Sequence, residues 1–218
     1  ASATRAVDFI RTRLWQHGRL YATWREGRSR FPAYLEDHAL LGLGLLALLN
    51  VRWRAEDLNF AEALADALLE RFEDRDRGGF FFTAHDHETL IHRPRPFEDD
   101  STPAGNGAAV RFLTRLGALL GRPEYLEAAE RTLHAARPRL EEHPHACASL
   151  LMGLRDFLEG PTIVILRGPA EDLAQWQGAL RRHEDARRLT GATVLAIPAD
   201  VPDETLPPNG SVPPGSPP

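Results

Sequence analysis

Lysine is absent, and all 26 basic residues are arginine. A Schiff-base nucleophile and a phosphate-loop lysine are thereby excluded. Cys147 is the sole cysteine, so no intrachain disulfide, CxxC redox motif or thiolate zinc cage can be built. No window approaches the roughly 18 uncharged apolar residues that a membrane span needs. The opening "ASATRAVDFIRTRLW" also lacks the layout of a signal peptide. A reducing, cytoplasmic location away from the membrane is the expectation. The net charge of −5 gives no basic footprint for nucleic acid, although arginines cluster locally.

With 43% hydrophobic and 26% charged residues in 218, the composition is that of a globular chain with a sizeable core. Two helical patterns alternate along it. Ala6, Ile10 and Leu14 mark a striped segment; Ala61, Leu64, Ala65, Leu68, Leu69 and Phe72 mark a second; Leu126, Ala129, Leu133, Ala136 and Leu140 mark a third. Between them lie segments apolar on most sides, roughly 33–50, 103–120 and 145–158. A helix with one wet face belongs to an outer layer, whereas a helix apolar all round must be surrounded. The order therefore predicts a mainly α fold of helical hairpins, an arc of an α/α toroid over residues 1–160.

The connections carry β signals. "RLYATWREGRSR" (19–30) reads as a hairpin around Glu26-Gly27, and "GGFFFTAHDHETLIHRP" (78–94) as another with strands Phe80–Thr83 and Leu90–His92. After Gly160-Pro161, "TIVIL", "AEDLAQWQGALRRH" and "ATVLAI" predict a small βαβ appendage over 161–200. Its "RGPAED" turn lacks the spacing of a dinucleotide-binding loop. The tail 201–218, "VPDETLPPNGSVPPGSPP", is Pro-rich and reads as extended or disordered.

The motifs "GRLYATWREG", "YLEDHALLGLGLLALL", "GGFFFT", "DDSTPAGNGAAVRFLTRL" and "YLEAAERTL", in that order, resemble the C-terminal half of the YyaL-like, spermatogenesis-associated thioredoxin-domain family over roughly residues 1–200. The resemblance implies a thioredoxin-like domain followed by a six-hairpin α/α toroid similar to glycosidases and to N-acylglucosamine 2-epimerase. Here the chain starts inside the toroid, so a fragment or one part of an assembly, completed by a missing N-terminal half or an oligomer partner, is the expectation. Redox activity does not carry over. His38 stands where relatives commonly have Tyr.

Glu36, Asp37 and His38 fall in the first turn of one inner helix, and Glu98, Asp99 and Asp100 precede the next. Acids at a helix start complement the dipole and the free N–H groups without any active site. The repeat also suits a toroid mouth, where two carboxyl groups about 5 to 9.5 Å apart cleave glycosides. On that reading Glu36, Asp37, His38, Asp99 and Asp100 are the catalytic candidates. Trp24, Tyr34 and Phe82 are aromatic platforms for a carbohydrate or sugar-derived ligand, and Asn106 contributes either a polar contact or a cap. His85, His87 and His92 read as a polar turn rather than a metal cluster, and neither metal nor cofactor is expected. Cys147 reads as a buried, inert thiol. The competing reading is a noncatalytic helical scaffold that binds a protein partner.

Overall fold

In the computed structural model, residues 2–88, 91–182 and 192–208 are described. The chain is mainly helical, as its patterning predicts. Helix α1 (Ser2–Phe9) runs into a π-helical turn, Ile10–Leu14, and then a three-stranded antiparallel sheet of β1 (Trp15–Gln16), β2 (Arg19–Arg25) and β3 (Arg28–Pro32). The two-residue turn between β2 and β3 holds Glu26 and Gly27 at φ of 52° and 77°. Both positive values match the twist of the flanking strands, and Gly27 takes its value without a Cβ penalty.

Helices α2 (Leu35–Leu49), α3 (Ala55–Arg71), α4 (Gly105–Leu120), α5 (Pro123–Glu142) and α6 (Ala148–Glu159) follow. The apolar members α2, α4 and α6 pack side by side in that order, while α3 lies against α2 and α5 against α4. Glycines let the inner row close up. A methyl group at Gly42 would overlap the Phe112 ring, and one at Gly107 would overlap Ser149 of α6. A Cβ at Gly153 would lie 2.8 Å from Val110 Cγ1. Leu35, Leu45, Leu49, Leu64, Leu68, Phe112, Leu113, Leu116 and Tyr125 are wholly buried between the layers. Removing such surface from water supplies the main drive to fold, about 25 cal/mol per Å2.

Gly121 ends α4 in the left-handed conformation at φ 65°, and its N–H bonds back to the Gly117 carbonyl. That tight stop places Pro123 at the start of α5. At the start of α3, Asp57 is fully buried against Arg52 at 2.8 Å and Arg11 at 3.8 Å. This ion pair ties the α2–α3 connection to the turn after α1.

Strands β4 (Ile163–Gly168) and β5 (Thr193–Pro198) pair in parallel, with α7 (Ala170–Arg182) following β4. The βαβ pattern read from the sequence is present among the described residues. The unit also shares the main core: Leu195 and Ile197 are fully buried in it, and the Val194 N–H donates to Asn50 Oδ1 at the end of α2 at 2.7 Å. Residues 201–208 include a 3-10 turn at Asp203–Thr205, and Val201 and Leu206 pack on the core. The expected extended tail beyond them, 209–218, lies outside the described residues.

The second expected hairpin differs from its reading. Phe80 makes one antiparallel bridge to Glu73, and the remaining described residues of 78–94 form no strand; Leu90 of the second expected strand lies outside the described residues. The backbone groups of this loop go elsewhere. Leu35 N–H bonds to Phe82 O at 3.1 Å, Phe82 N–H to Pro94 O at 2.8 Å, and His85 N–H to Arg71 O at 2.8 Å. The loop thus ties helix ends together, using the groups a sister strand would need.

Candidate functional site

Among the described residues, Phe80, Phe82 and Asp99 of the connection between α3 and α4 link the starts of α2, α4 and α6. Asp37 occupies the first turn of α2, and its carboxylate accepts the Tyr34 N–H at 2.8 Å. Asp99 does more. Its Oδ1 accepts the Ala104 N–H at 2.8 Å at the start of α4, and its Oδ2 accepts the Ser149 N–H at 2.8 Å at the start of α6. The Ser149 hydroxyl also donates to it. Partial burial opposes the negative charge, but these hydrogen bonds outweigh it and hold the Asp99 carboxyl below the usual range.

Asn106 is fully buried and committed to the backbone. Its Oδ1 accepts the Phe80 N–H at 2.7 Å, and Nδ2 donates to Phe80 O at 2.9 Å and Pro96 O at 2.8 Å. The side-chain amide pairs with Phe80 as a neighbouring strand would, which accounts for the strand-like sequence "GGFFFT" closing without a hairpin.

His38 is 3% exposed, and its Nδ1 donates to Tyr34 O at 2.8 Å. Burial is the largest influence on it, holding the imidazole below its ordinary value and neutral at pH 7. With the Nδ1 proton fixed, Nε2 carries the lone pair. Glu36 beside it is half-buried, and desolvation together with the Asp37 charge raises its carboxyl. Asp100 is exposed.

Three rings gather above this first turn. Tyr34 stacks with Phe82 at a centroid separation of 4.6 Å and 13° between planes, and with His87 at 5.4 Å and 23°. Tyr34 and Phe82 are thus brought together, each covering one face of the other. Trp24 is not in this group; it meets Phe9 edge-on at 6.1 Å and lies beneath Arg13. His87 was legible only as part of a polar turn, because nothing in its local spacing marks a stacking partner fifty-three residues upstream in the chain. Arg93 completes the surroundings. It donates to Thr83 O at 2.6 Å and lies 4.0 Å over the Phe81 ring, and desolvation lowers its pKa.

Chemically, Asp99 spends both oxygens on hydrogen bonds and Asp37 spends Oδ2 on the Tyr34 N–H, whereas Glu36, the exposed remainder of the Asp37 carboxylate and the outer faces of the ring stack keep polar or stacking capacity. Cys147 is buried, and desolvation pushes its thiol up, away from nucleophile chemistry. Among the described residues no group of three or more His, Cys, Asp or Glu could hold a metal ion, and no helix is long and apolar enough to cross a membrane.

No family model matches the chain. The chain is a distant homologue of spermatogenesis-associated protein 20 of Rattus norvegicus, 27% identical over 163 residues that cover 70% of this chain and 21% of that protein. It is also 27% identical over 143 residues to uncharacterized protein B0495.5 of Caenorhabditis elegans, covering 66% of this chain and 19% of the relative. The chain therefore spans about a fifth of the length of these curated relatives.

Proposed function

We propose that this chain is a segment of a larger α/α ring belonging with the C-terminal part of a thioredoxin-domain protein, and that the end carrying the starts of α2, α4 and α6 binds a carbohydrate. The observation that carries the reading is the stack of Phe82, Tyr34 and His87 at the start of α2, beside the half-buried Glu36 carboxyl. Flat apolar faces beneath a hydroxyl-rich ligand, with a few polar groups at the rim, are the ordinary composition of such a site. The engagement of both Asp99 oxygens in hydrogen bonds to the starts of α4 and α6 supports binding over hydrolysis by an Asp37–Asp99 carboxylate pair, because a general acid or base needs a free oxygen.

The test is titration of the full chain with neutral cello-oligosaccharides, followed by tryptophan fluorescence. Tyr34→Ala is expected to weaken binding about tenfold or more, whereas Asp100→Asn leaves it unchanged. Equal affinity in wild type and Tyr34→Ala would sink the reading.

A second reading, the noncatalytic scaffold, is favoured by one feature. Between α5 and α6 runs an apolar groove lined by Leu133, Leu140, Leu151, Leu154, Phe157 and Leu158. Leu151 and Leu158 are 41% and 73% exposed. Contiguous apolar surface of this kind marks association with another polypeptide.

A further inference from the structure

One face of the β2–β3 hairpin carries Arg19, Arg25, Arg28 and Arg30; Arg19 at its base is ion-paired with Asp86, and the other three are exposed toward the turn. Residues 1–32 contain seven arginines against two acids in a chain whose net charge is −5. The pairing Arg25↔Arg28, Thr23↔Arg30 and Tyr21↔Pro32 puts Arg25, Arg28 and Arg30 on the same face as Arg19, because side chains two apart on a strand share a side. The opposite face is the packed one: Trp24 meets Phe9, and the Ser29 hydroxyl bonds to Arg13 O.

Arg25 and Arg28 stand directly across the pair, an arrangement of like charges that weakens a hairpin. Glu26 in the turn relieves Arg25 alone, at 3.3 Å. Among the described residues no carboxylate lies within ion-pairing distance of Arg28 or Arg30. A locally unfavourable arrangement held on an exposed surface is where function outweighs stability.

The hairpin also leads directly into the ring site. β3 ends at Pro32, and Tyr34 opens α2 two residues later. Arg30 is four residues from Tyr34, at most about 14 Å of extended chain. A ligand resting on the ring stack centred on Tyr34 and continuing outward along β3 therefore meets the arginines. We infer that the hairpin face is a docking rail for a polymer of uronic acids, its carboxylates paired with Arg28 and Arg30. Guanidinium is the cation suited to this, since its planar fork meets both oxygens of a carboxylate. The inference rests on the carbohydrate reading above and adds the charge class and polymeric nature of the ligand.

The experiment titrates the full chain with an alginate oligosaccharide, a neutral cello-oligosaccharide, dextran sulfate and an oligothymidylate. Alginate is expected to bind more tightly than the neutral glycan, with affinity falling as salt rises. Arg28→Gln/Arg30→Gln, on exposed positions that bear no packing, is expected to weaken alginate about tenfold, the combined effect of two exposed ion pairs, and to leave the neutral glycan unchanged. Unchanged alginate affinity in that variant overturns the inference. Dextran sulfate or oligothymidylate binding as tightly as alginate also overturns it, as general attraction of polyanions. If wild type binds both glycans equally and Tyr34→Ala weakens both, the rail falls and the carbohydrate reading stands. If neither glycan binds, the carbohydrate reading fails and the rail with it.

Discussion

Asp99 and Ser149, fifty residues apart in the chain, are joined by two hydrogen bonds, and a third from the Ala104 N–H to Asp99 ties the start of α4 to the start of α6. A carboxylate holding N–H groups of two neighbouring helices explains why an acid sits there without any ligand. Asp99→Ala leaves those donors without a partner and is expected to cost about 2 kcal/mol in urea denaturation. Asp99→Asn keeps one acceptor and costs less. Equal stability of wild type and Asp99→Ala would refute the bracing role.

The pH dependence of stability carries three signs. Asp99 titrates below its ordinary value of 3.8 in the folded chain, so its contribution is present above that pH and is lost as pH falls through the folded value. His38 is lowered from 6.5, so the unfolded state binds more protons and stability declines as pH falls below about 6.5. Glu36 is raised from 4.5, so stability declines as pH rises through its folded value. Thermal melts from pH 2 to 8 are expected to lose the mid-range slope in His38→Phe and the low-pH slope in Asp99→Asn. A His38→Phe profile parallel to wild type would contradict the buried neutral imidazole.

Gly107→Ala is expected to destabilise the fold by about 1 to 3 kcal/mol, because the new methyl meets Ser149 backbone as well as its side chain. Gly44→Ala, on the same inner row with nothing within 4 Å of the added Cβ, is expected to be neutral or stabilising, since alanine favours helix by about 1 kcal/mol over glycine. Chemical denaturation of both variants checks the contrast. Equal losses at the two positions would mean that close approach of α4 and α6 is not what Gly107 provides.

The groove between α5 and α6 is expected to drive self-association. Sedimentation velocity of wild type is expected to show a mass that rises with concentration, and Leu151→Asp/Leu158→Asp to remain at the mass of one chain. A wild type that stays monomeric at the highest soluble concentration would count against the scaffold reading.

The alternation of striped and all-apolar segments reveals the two helix layers because burial imposes it residue by residue. The β2–β3 turn is equally readable, since Glu26-Gly27 is local chemistry. Asp99 read both as an acid serving the start of α4 and as a catalytic candidate; its partner Ser149 could not be read, for nothing at Ser149 signals a carboxylate from another hairpin. Phe80–Thr83 has a strand's residues but spends its hydrogen bonds on Asn106 and on helix ends. Local propensity says what a segment can pair with, and tertiary packing decides with what. Tyr34 and Phe82 were legible as aromatic residues at one end of the fold, whereas the stacking of His87 on Tyr34 depends on how the loop after Thr83 folds back.

The bond from Val194 to Asn50 spans 144 positions of chain. Contacts between such distant partners close late, because the intervening loop must be ordered before they are rewarded. During synthesis, α2 through α5 can assemble from neighbouring segments, while the end of α2 waits with its apolar surface uncovered until β5 has left the ribosome. The interval between those two events is when a nascent chain of this design is most open to a chaperone, or to a mistaken partner.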